Sequence, residues 1–380
     1  MTFHSMGLVP SLIDSLVAQN YTAPYPVQEQ TIPAILERRD VLGIAKTGSG
    51  KTASYVLPIL TILQNSIEKK PRHVRVLVLV PTRELAVQVN DVFNLFARAV
   101  PKKVKNLGVF GGVAINPQMK ALQNVDVLVA TPGRLLELVA VNAVKLSDVE
   151  TLVLDEADKM LNIGFAAEVN QILEQLPQKC QNLLFSATLN DDIESLNCIF
   201  LDNPLIVKIE SPEENIDSIQ QSAYFLDNDH KGPLLRYLIK TKEMSQVLIF
   251  TSSVARADNV ANKLRNNGIE AQAIHSKKKQ GVRSDLLRRF KDGSLQVLVA
   301  TDLLGRGIDI HSLPFVINYE LPRSPKDFIH RIGRTGRADA CGEAIKLVNP
   351  AEEHHFKVIQ KKMKKRVPKI TIEGIDLKGF

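Results

Sequence analysis

Val41-Leu42-Gly43-Ile44 runs straight into Ala45-Lys46-Thr47-Gly48-Ser49-Gly50-Lys51-Thr52, and Ala53, Tyr55, Val56 and Leu57 continue in a pattern a helix can carry. This order of apolar strand, glycine loop and helix constrains the fold most, because parallel strands need helical crossovers between them. It is also the order a nucleoside-triphosphate cradle needs. Small residues let backbone N–H groups approach phosphate oxygens, and the helix N-terminus adds favourable partial charge. In such a cradle Lys51 reaches the β- and γ-phosphates and the Thr52 hydroxyl ligates Mg²⁺. Ala45 stands where the general pattern has glycine, and it is small enough to fit. A flexible Gly-Ser loop is the competing reading, and Lys51-Thr52 in register weighs against it.

A second strand pattern, Thr151-Leu152-Val153-Leu154, ends in Asp155-Glu156-Ala157-Asp158. A buried parallel strand would push these carboxylates out at its C-terminal end, where α/β proteins bind ligands. Asp155 is then suited to hold Mg²⁺ and Glu156 to orient an attacking water. Taken alone, the tetrad reads equally well as a helix cap or a solvated turn.

The chain has 380 residues, enough for two domains of about 150–200 residues each. It is 44% hydrophobic and 23% charged, the balance of a globular protein. With no tryptophan and few aromatics, stacking of bases on aromatic platforms is not expected to dominate any nucleic-acid binding. A net charge of +7 suggests a polyanionic partner. Cys180, Cys198 and Cys341 lack metal-ligand spacing and suit a reducing compartment. No apolar run reaches the ~18–20 residues of a membrane span, and Met1-Thr2-Phe3-His4 does not open a secretory signal. A cytoplasmic protein without a membrane segment is the expectation.

Strand patterns in the first half are Val41–Ile44, Val74–Val80, Asn106–Phe110, Val125–Ala130, Thr151–Leu154 and Asn182–Phe185. Those in the second half are Ser222–Phe225, Gln246–Phe250, Glu270–Ile274, Gln296–Ala300, Phe315–Asn318 and Gly342–Leu347. Helical stretches alternate with them, which predicts parallel sheets flanked by helices with function on the loops after the strands. The pattern stops around Ile209–Asn215, marking a linker. Residues 1–208 are therefore expected as domain 1, 209–220 as the linker, 221–367 as domain 2, and 368–380 as a short C-terminal tail. Only the first half carries a phosphate loop. Residues from about 356 onward turn basic, as a solvated face or a nucleic-acid contact.

The motifs fall in an order that resembles the DEAD-box ATP-dependent RNA helicase family across nearly the whole chain. They read Phe3; Tyr21 through Gln28; Ala45–Thr52; Pro81-Thr82-Arg83-Glu84-Leu85-Ala86; Gly111-Gly112; Thr131-Pro132-Gly133-Arg134; Asp155–Asp158; Ser186-Ala187-Thr188; Gln280 and Arg283; Ala300-Thr301-Asp302; Arg306-Gly307-Ile308-Asp309; and His330-Arg331-Ile332-Gly333-Arg334-Thr335-Gly336-Arg337. The ending Arg366-Val367-Pro368-Lys369-Ile370 resembles the bacterial RhlE-type subgroup.

The resemblance implies two tandem RecA-like domains and RNA-stimulated ATP hydrolysis coupled to local, non-processive unwinding of short RNA duplexes or remodelling of RNA–protein complexes. It implies ATP and Mg²⁺ as cofactors. Nucleotide contacts fall on Phe3, Tyr21, Gln28, Thr47, Gly48, Ser49, Gly50, Lys51, Thr52, Gly307 and Asp309, with Phe3 equally readable as a core residue. Gln28 would read adenine, since a side-chain amide both donates and accepts. Thr52 and Asp155 would hold the metal. Lys51, Asp155, Glu156, Arg334 and Arg337 would carry catalysis, the two arginines as fingers on the transferring phosphate. RNA contacts fall on Arg83, Gly111, Gly112, Thr131, Pro132, Arg134, Arg283 and Thr301. Asp158, Ser186, Thr188 and His330 would couple the domains.

An ATP-gated RNA clamp and a DNA helicase of the same superfamily use the same residues, and both remain open at this point. Ribosomal and RNA-decay proteins are both possible partners, and a monomer is the default. The chain departs from the family pattern at Asn20, Tyr25, Gly305 and Asp339. It also departs at Ser276-Lys277-Lys278-Lys279, a lysine triplet that either adds phosphate contacts near Gln280 or forms a solvated loop.

Overall fold

The computed structural model describes residues 2–46, 48–64, 73–189, 200–209, 219–301, 313–336 and 342–380. The chain divides into two compact units, Met1–Ser211 and Pro212–Phe380. Each is built on a seven-stranded sheet whose paired strands all run parallel. This is the tandem RecA-like architecture. Most of the expected linker, residues 210–218, lies outside the described residues.

Unit 1 carries strands β1 (Val41–Ile44), β2 (Val76–Leu79), β3 (Asn106–Val109), β4 (Val127–Ala130), β5 (Thr151–Leu154), β6 (Gln181–Ser186) and β7 (Leu205–Lys208). Their order across the sheet is β3-β4-β2-β5-β6-β1-β7. The described helices are α1 (Pro10–Ala18), α2 (Pro26–Leu36), α3 (Lys51–Gln64), α4 (Arg83–Ala97), α5 (Ile115–Ala121), α6 (Pro132–Ala140), α7 (Ala157–Ile163) and α8 (Ala166–Leu173).

The inner strands are apolar throughout because both faces are covered. Val76 and Val78 pack into one core cluster, while Leu77 and Leu79, pointing the other way, pack into a second. Fully burying each such side chain contributes about 1.5–3 kcal/mol, which makes the strand register hard to shift.

Unit 2 repeats the plan with β8 (Ile219–Phe225), α9 (Asn228–Thr241), β9 (Val247–Thr251), α10 (Val254–Arg265), β10 (Ala271–Ile274), α11 (Gln280–Lys291), β11 (Val297–Thr301), β12 (Phe315–Asn318), α12 (Pro325–Ile332), β13 (Gly342–Val348), α13 (Glu353–Met363) and β14 (Lys369–Thr371). The strand order is β10-β11-β9-β12-β13-β8-β14.

Two edge strands, β7 and β14, were not anticipated from the sequence. The segment 368–380 does more than trail. Lys369–Thr371 pairs with Ala223–Phe225, and Ile370, Ile372, Ile375 and Leu377 pack on the unit 2 core. Among the described residues no helix is long and apolar enough to cross a membrane.

Candidate nucleotide and RNA site

In unit 1 the phosphate loop, the Ser186-Ala187-Thr188 turn and the acidic tetrad follow β1, β6 and β5, three strands that lie side by side. The parallel register pairs Ile44 with Ser186 and Leu154 with Leu184, so the three motifs emerge at one sheet edge. Gly48 and Gly50 adopt φ of +83° and +90°, which glycine reaches without steric cost. At Gly50 a Cβ would also stand 2.6 Å from Gln28 Nε2. Gln28 is fully buried. Its amide donates to the Gly50 carbonyl (3.1 Å) and accepts from the Tyr25 N–H (2.9 Å), tying the start of α2 to the loop. Lys51 opens α3, and its Nζ donates to the Ala45 carbonyl at 2.6 Å. Burial pushes the Lys51 ammonium below the ordinary lysine range, against the opposing pull of Asp155 and Glu156.

Asp155 and Glu156 directly follow β5 and lie inside the protein, at 2% and 6% exposure. Asp155 accepts from the Tyr55 hydroxyl (2.9 Å) and from the Glu156 N–H (2.9 Å). Burial raises the Asp155 carboxyl above the ordinary carboxylate range, and Lys51 opposes it. Tyr55 is raised well above the usual phenol value, by burial first and then by Asp155. Glu156 sits at φ 53° and ψ 46°, a left-handed conformation rare for a residue with a Cβ, and strain of this kind clusters at functional sites. One Glu156 oxygen pairs with Lys159 Nζ at 2.7 Å, while buried Oε2 has no hydrogen-bond partner among the described residues. Asp158 accepts from the Thr188 hydroxyl (3.1 Å), and Ser186 Oγ donates to the Thr188 carbonyl (2.8 Å). Asp158 Oδ1 is likewise buried without a partner among the described residues.

The other half of the same edge, after β2, β3 and β4, gathers the residues expected to touch RNA. Thr82 caps α4 by accepting from the Leu85 N–H (3.2 Å), which sets Arg83 at the helix start. The Arg83 guanidinium lies against Gly112, where φ is +75° and any Cβ would overlap it. Thr131 precedes α6 and Pro132 is its first residue. Arg134, in the first turn, donates to Glu137 (2.8 Å) and to the Val113 carbonyl (2.9 Å), while its buried Nη1 has no partner among the described residues. Gly111 stands between these groups with open space where a side chain would be.

In unit 2, Thr301 ends β11, and Arg283 is buried in the first turn of α11. His330 lies in the last turn of α12, with buried Arg334 just beyond it. Arg331 fixes this helix by donating to Asn318 Oδ1 (2.8 Å) and the Glu320 carbonyl (2.7 Å), with its guanidinium 5.0 Å from the Phe250 ring centroid. Thr47, Gly307, Asp309 and Arg337 lie outside the described residues. Phe3 is buried in the unit 1 core, and Tyr21 packs edge-on against Phe96 at 6.0 Å.

Tyr55 and Lys159 are the functional-looking residues that sequence reasoning passed over. The available signal was Tyr55's place one turn after Lys51, on the face of α3 that begins at the phosphate loop. Cys180 is half-buried, and burial pushes its thiol up to about 12, which makes it a poor nucleophile and a packing residue. Cys198 and Cys341 are outside the described residues.

A glycine loop, a buried lysine, paired carboxylates and a hydroxyl turn at the C-terminal edge of a parallel sheet define a P-loop nucleotide-binding domain, here followed by a second domain of the same architecture. The DEAD/DEAH box helicase family profile matches residues 25–196, and that of the helicase conserved C-terminal domain matches residues 230–339. The chain is 38% identical over 366 residues to the ATP-dependent RNA helicase CshA of Listeria monocytogenes, covering 96% of this chain and 69% of that protein. It is similar to the structure of S. cerevisiae Dbp5 bound to RNA and ADP BeF3, with a TM-score of 0.82, 29% identity and coverage of 97% and 95%. It is also similar to a DEAD box protein from Methanococcus jannaschii, with a TM-score of 0.54, 34% identity and coverage of 97% and 99%. The chain belongs to the DEAD/DEAH box helicase family.

Proposed function

We propose that this protein is an ATP-dependent RNA helicase that hydrolyses ATP when RNA is bound and opens short duplexes locally. The observation that carries this is the convergence of Lys51, Asp155, Glu156 and the Asp158–Thr188 pair on neighbouring strands of one sheet edge. The relatives reported above carry the CshA name or come from yeast and an archaeon, so they give no support to the narrower RhlE-type expectation.

The residues present fit Mg²⁺. Asp155 keeps free lone pairs on both oxygens, and Glu156 Oε2 and Asp158 Oδ1 are buried without partners among the described residues. Hard oxygen donors in small number suit a cation that keeps waters and shares substrate phosphates. Thr52 and Asp155 would hold it, and when bound it offsets charge on the β- and γ-phosphates. Lys51 exchanges the Ala45 carbonyl for a phosphate oxygen. Glu156 orients the attacking water through the oxygen that Lys159 leaves free. Arg334 and Arg337 are assigned to the transferring phosphate on the resemblance alone. Arg83, Gly112 and Arg134 hold the RNA backbone, contacts that carry little base information.

Glu156→Gln tests this reading. ATP-dependent RNA affinity should persist while RNA-stimulated turnover falls at least ~10²-fold, the scale of losing a positioned general base. Turnover close to that of the unaltered protein would refute the assignment.

A further inference from the structure

The lysine triplet after β10 is the family departure that concentrates most charge, and the reading above leaves it without a role. Its three members are not equivalent. Lys278 is half-buried, and its Nζ lies 3.7 Å from Asp258 Oδ1 on α10, the same oxygen that stands 3.1 Å from His275 Nε2. Lys277 and Lys279 are exposed, and no carboxylate pairs with either among the described residues. Asp258 thus pins the middle of the turn, leaving the two flanking ammonium groups facing solvent.

Three further features mark this turn as a place for a polyanion. Lys279 is the residue before α11, a twelve-residue helix with no acidic side chain in its first turn and no side-chain cap on its amide groups. Its N-terminal amides and the two lysines therefore add with one sign. Two polar atoms flanking the turn, Gln280 Oε1 and His275 Nδ1, are buried without hydrogen-bond partners among the described residues; Gln280 is 7% exposed and His275 4%. Unsatisfied buried acceptors of this kind call for a donor from a ligand or water. Finally, β10 pairs with β11 so that Ile274 faces Ala300. The turn therefore leaves the sheet beside Thr301, at the edge where the strands end.

We propose that Lys277 and Lys279 form an added phosphate-binding step that lengthens the RNA track of unit 2 past Thr301 and Arg283, with Lys278 acting as its brace. The ligand is the sugar–phosphate backbone of single-stranded RNA. Phosphates meet the two lysines, contacts that position the strand and carry no base information. This rests on the helicase reading and adds to it a longer and more salt-sensitive footprint.

The test is the slope of log affinity against log salt concentration, measured with a single-stranded oligouridine and a mixed-sequence RNA in the presence of a nonhydrolysable ATP analogue and Mg²⁺. Each phosphate neutralised on a single strand contributes a slope of about 0.7, so the K277A/K279A protein should lose about 1.4 on both RNAs. K277R/K279R should keep the slope of the unaltered protein, which a packing role for the lysine side chains would not produce. RNA binding by the unaltered protein with an unchanged slope in K277A/K279A overturns the phosphate step and leaves the helicase reading standing. No ATP-dependent RNA affinity in the unaltered protein overturns both.

Discussion

Asp155 is the most buried carboxylate of the candidate site, and the Tyr55 hydroxyl is the one side chain that donates a hydrogen bond to it among the described residues. Burial raises its carboxyl, and the Tyr55 hydroxyl partly restores the charged form by donating to it. A carboxylate must be ionised to hold Mg²⁺, so activity should fall as pH falls through this raised value. Tyr55→Phe removes the donor and moves that fall to higher pH. A hydrogen bond to a charged group contributes about 1.5–3 kcal/mol, so on the acid limb of the profile the Mg²⁺ concentration for half-maximal ATPase should rise about tenfold or more. An unchanged Mg²⁺ requirement and pH profile would show that Tyr55 only packs. The same pair shows where sequence reading stops. Asp155 was legible because its chemistry lies in consecutive residues after one strand. Tyr55 stands a hundred residues away, and only the strand order, which puts β1 and β5 on either side of β6, brings the two together.

The elements divide in a similar way. Inner strands such as Val41–Ile44, Thr151–Leu154 and Phe315–Asn318 are covered on both faces, so they read as continuous apolar runs with correct ends. The edge strands do not. In β7 only Val207 is fully buried and Ile206 is 50% exposed, while β14 is three residues inside a basic run. Their pairing depends on a neighbour that the local sequence cannot name.

The C-terminal edge is nonetheless structural. Phe380 packs edge-on against Tyr237 at 5.2 Å, and four aliphatic side chains cover the unit 2 core around it. Deleting residues 369–380 should lower unfolding free energy by about 2–4 kcal/mol, from four half-buried side chains less the entropy of ordering them. It should also promote aggregation by baring the β8 edge. Urea titration with light scattering would register both, and an unshifted midpoint would show that the segment is dispensable.

Lys346 makes a second element-scale case. It stands on β13, fully buried, with Gln221 Oε1 of β8 at 2.7 Å and the Phe328 ring of α12 at 5.4 Å, and burial, aided by Lys365, holds it well below the usual lysine value. The unfolded chain therefore binds a proton that the folded chain lacks, so stability should rise with pH toward the ordinary lysine value of 10.5. Replacing both partners, as in Lys346→Met with Gln221→Leu, should flatten that rise and leave the protein at least as stable at neutral pH. Urea midpoints at pH 8 and 10 would decide it.

At the scale of the whole molecule, the two units share an architecture but not a chemistry. Both sheets are seven-stranded and parallel, yet only the first half of the sequence carries a phosphate loop, so one chain handles one nucleotide per cycle. That stoichiometry limits the work of a cycle. Separating a duplex costs about 1.4 kcal/mol per stacked step in DNA terms, so one binding and hydrolysis event can open a few pairs and no more. Pairs beyond those must melt on their own while the protein holds the opened end. Each of them should slow strand release by up to ~tenfold. Unwinding assayed on RNA duplexes of increasing length, at fixed GC content and saturating ATP, should therefore decline steeply and leave long duplexes intact. Arg334→Ala should abolish the RNA-stimulated part of ATP turnover and this unwinding together, because both draw on the same hydrolysis cycle. A rate independent of duplex length would require translocation along the strand and would refute the local reading.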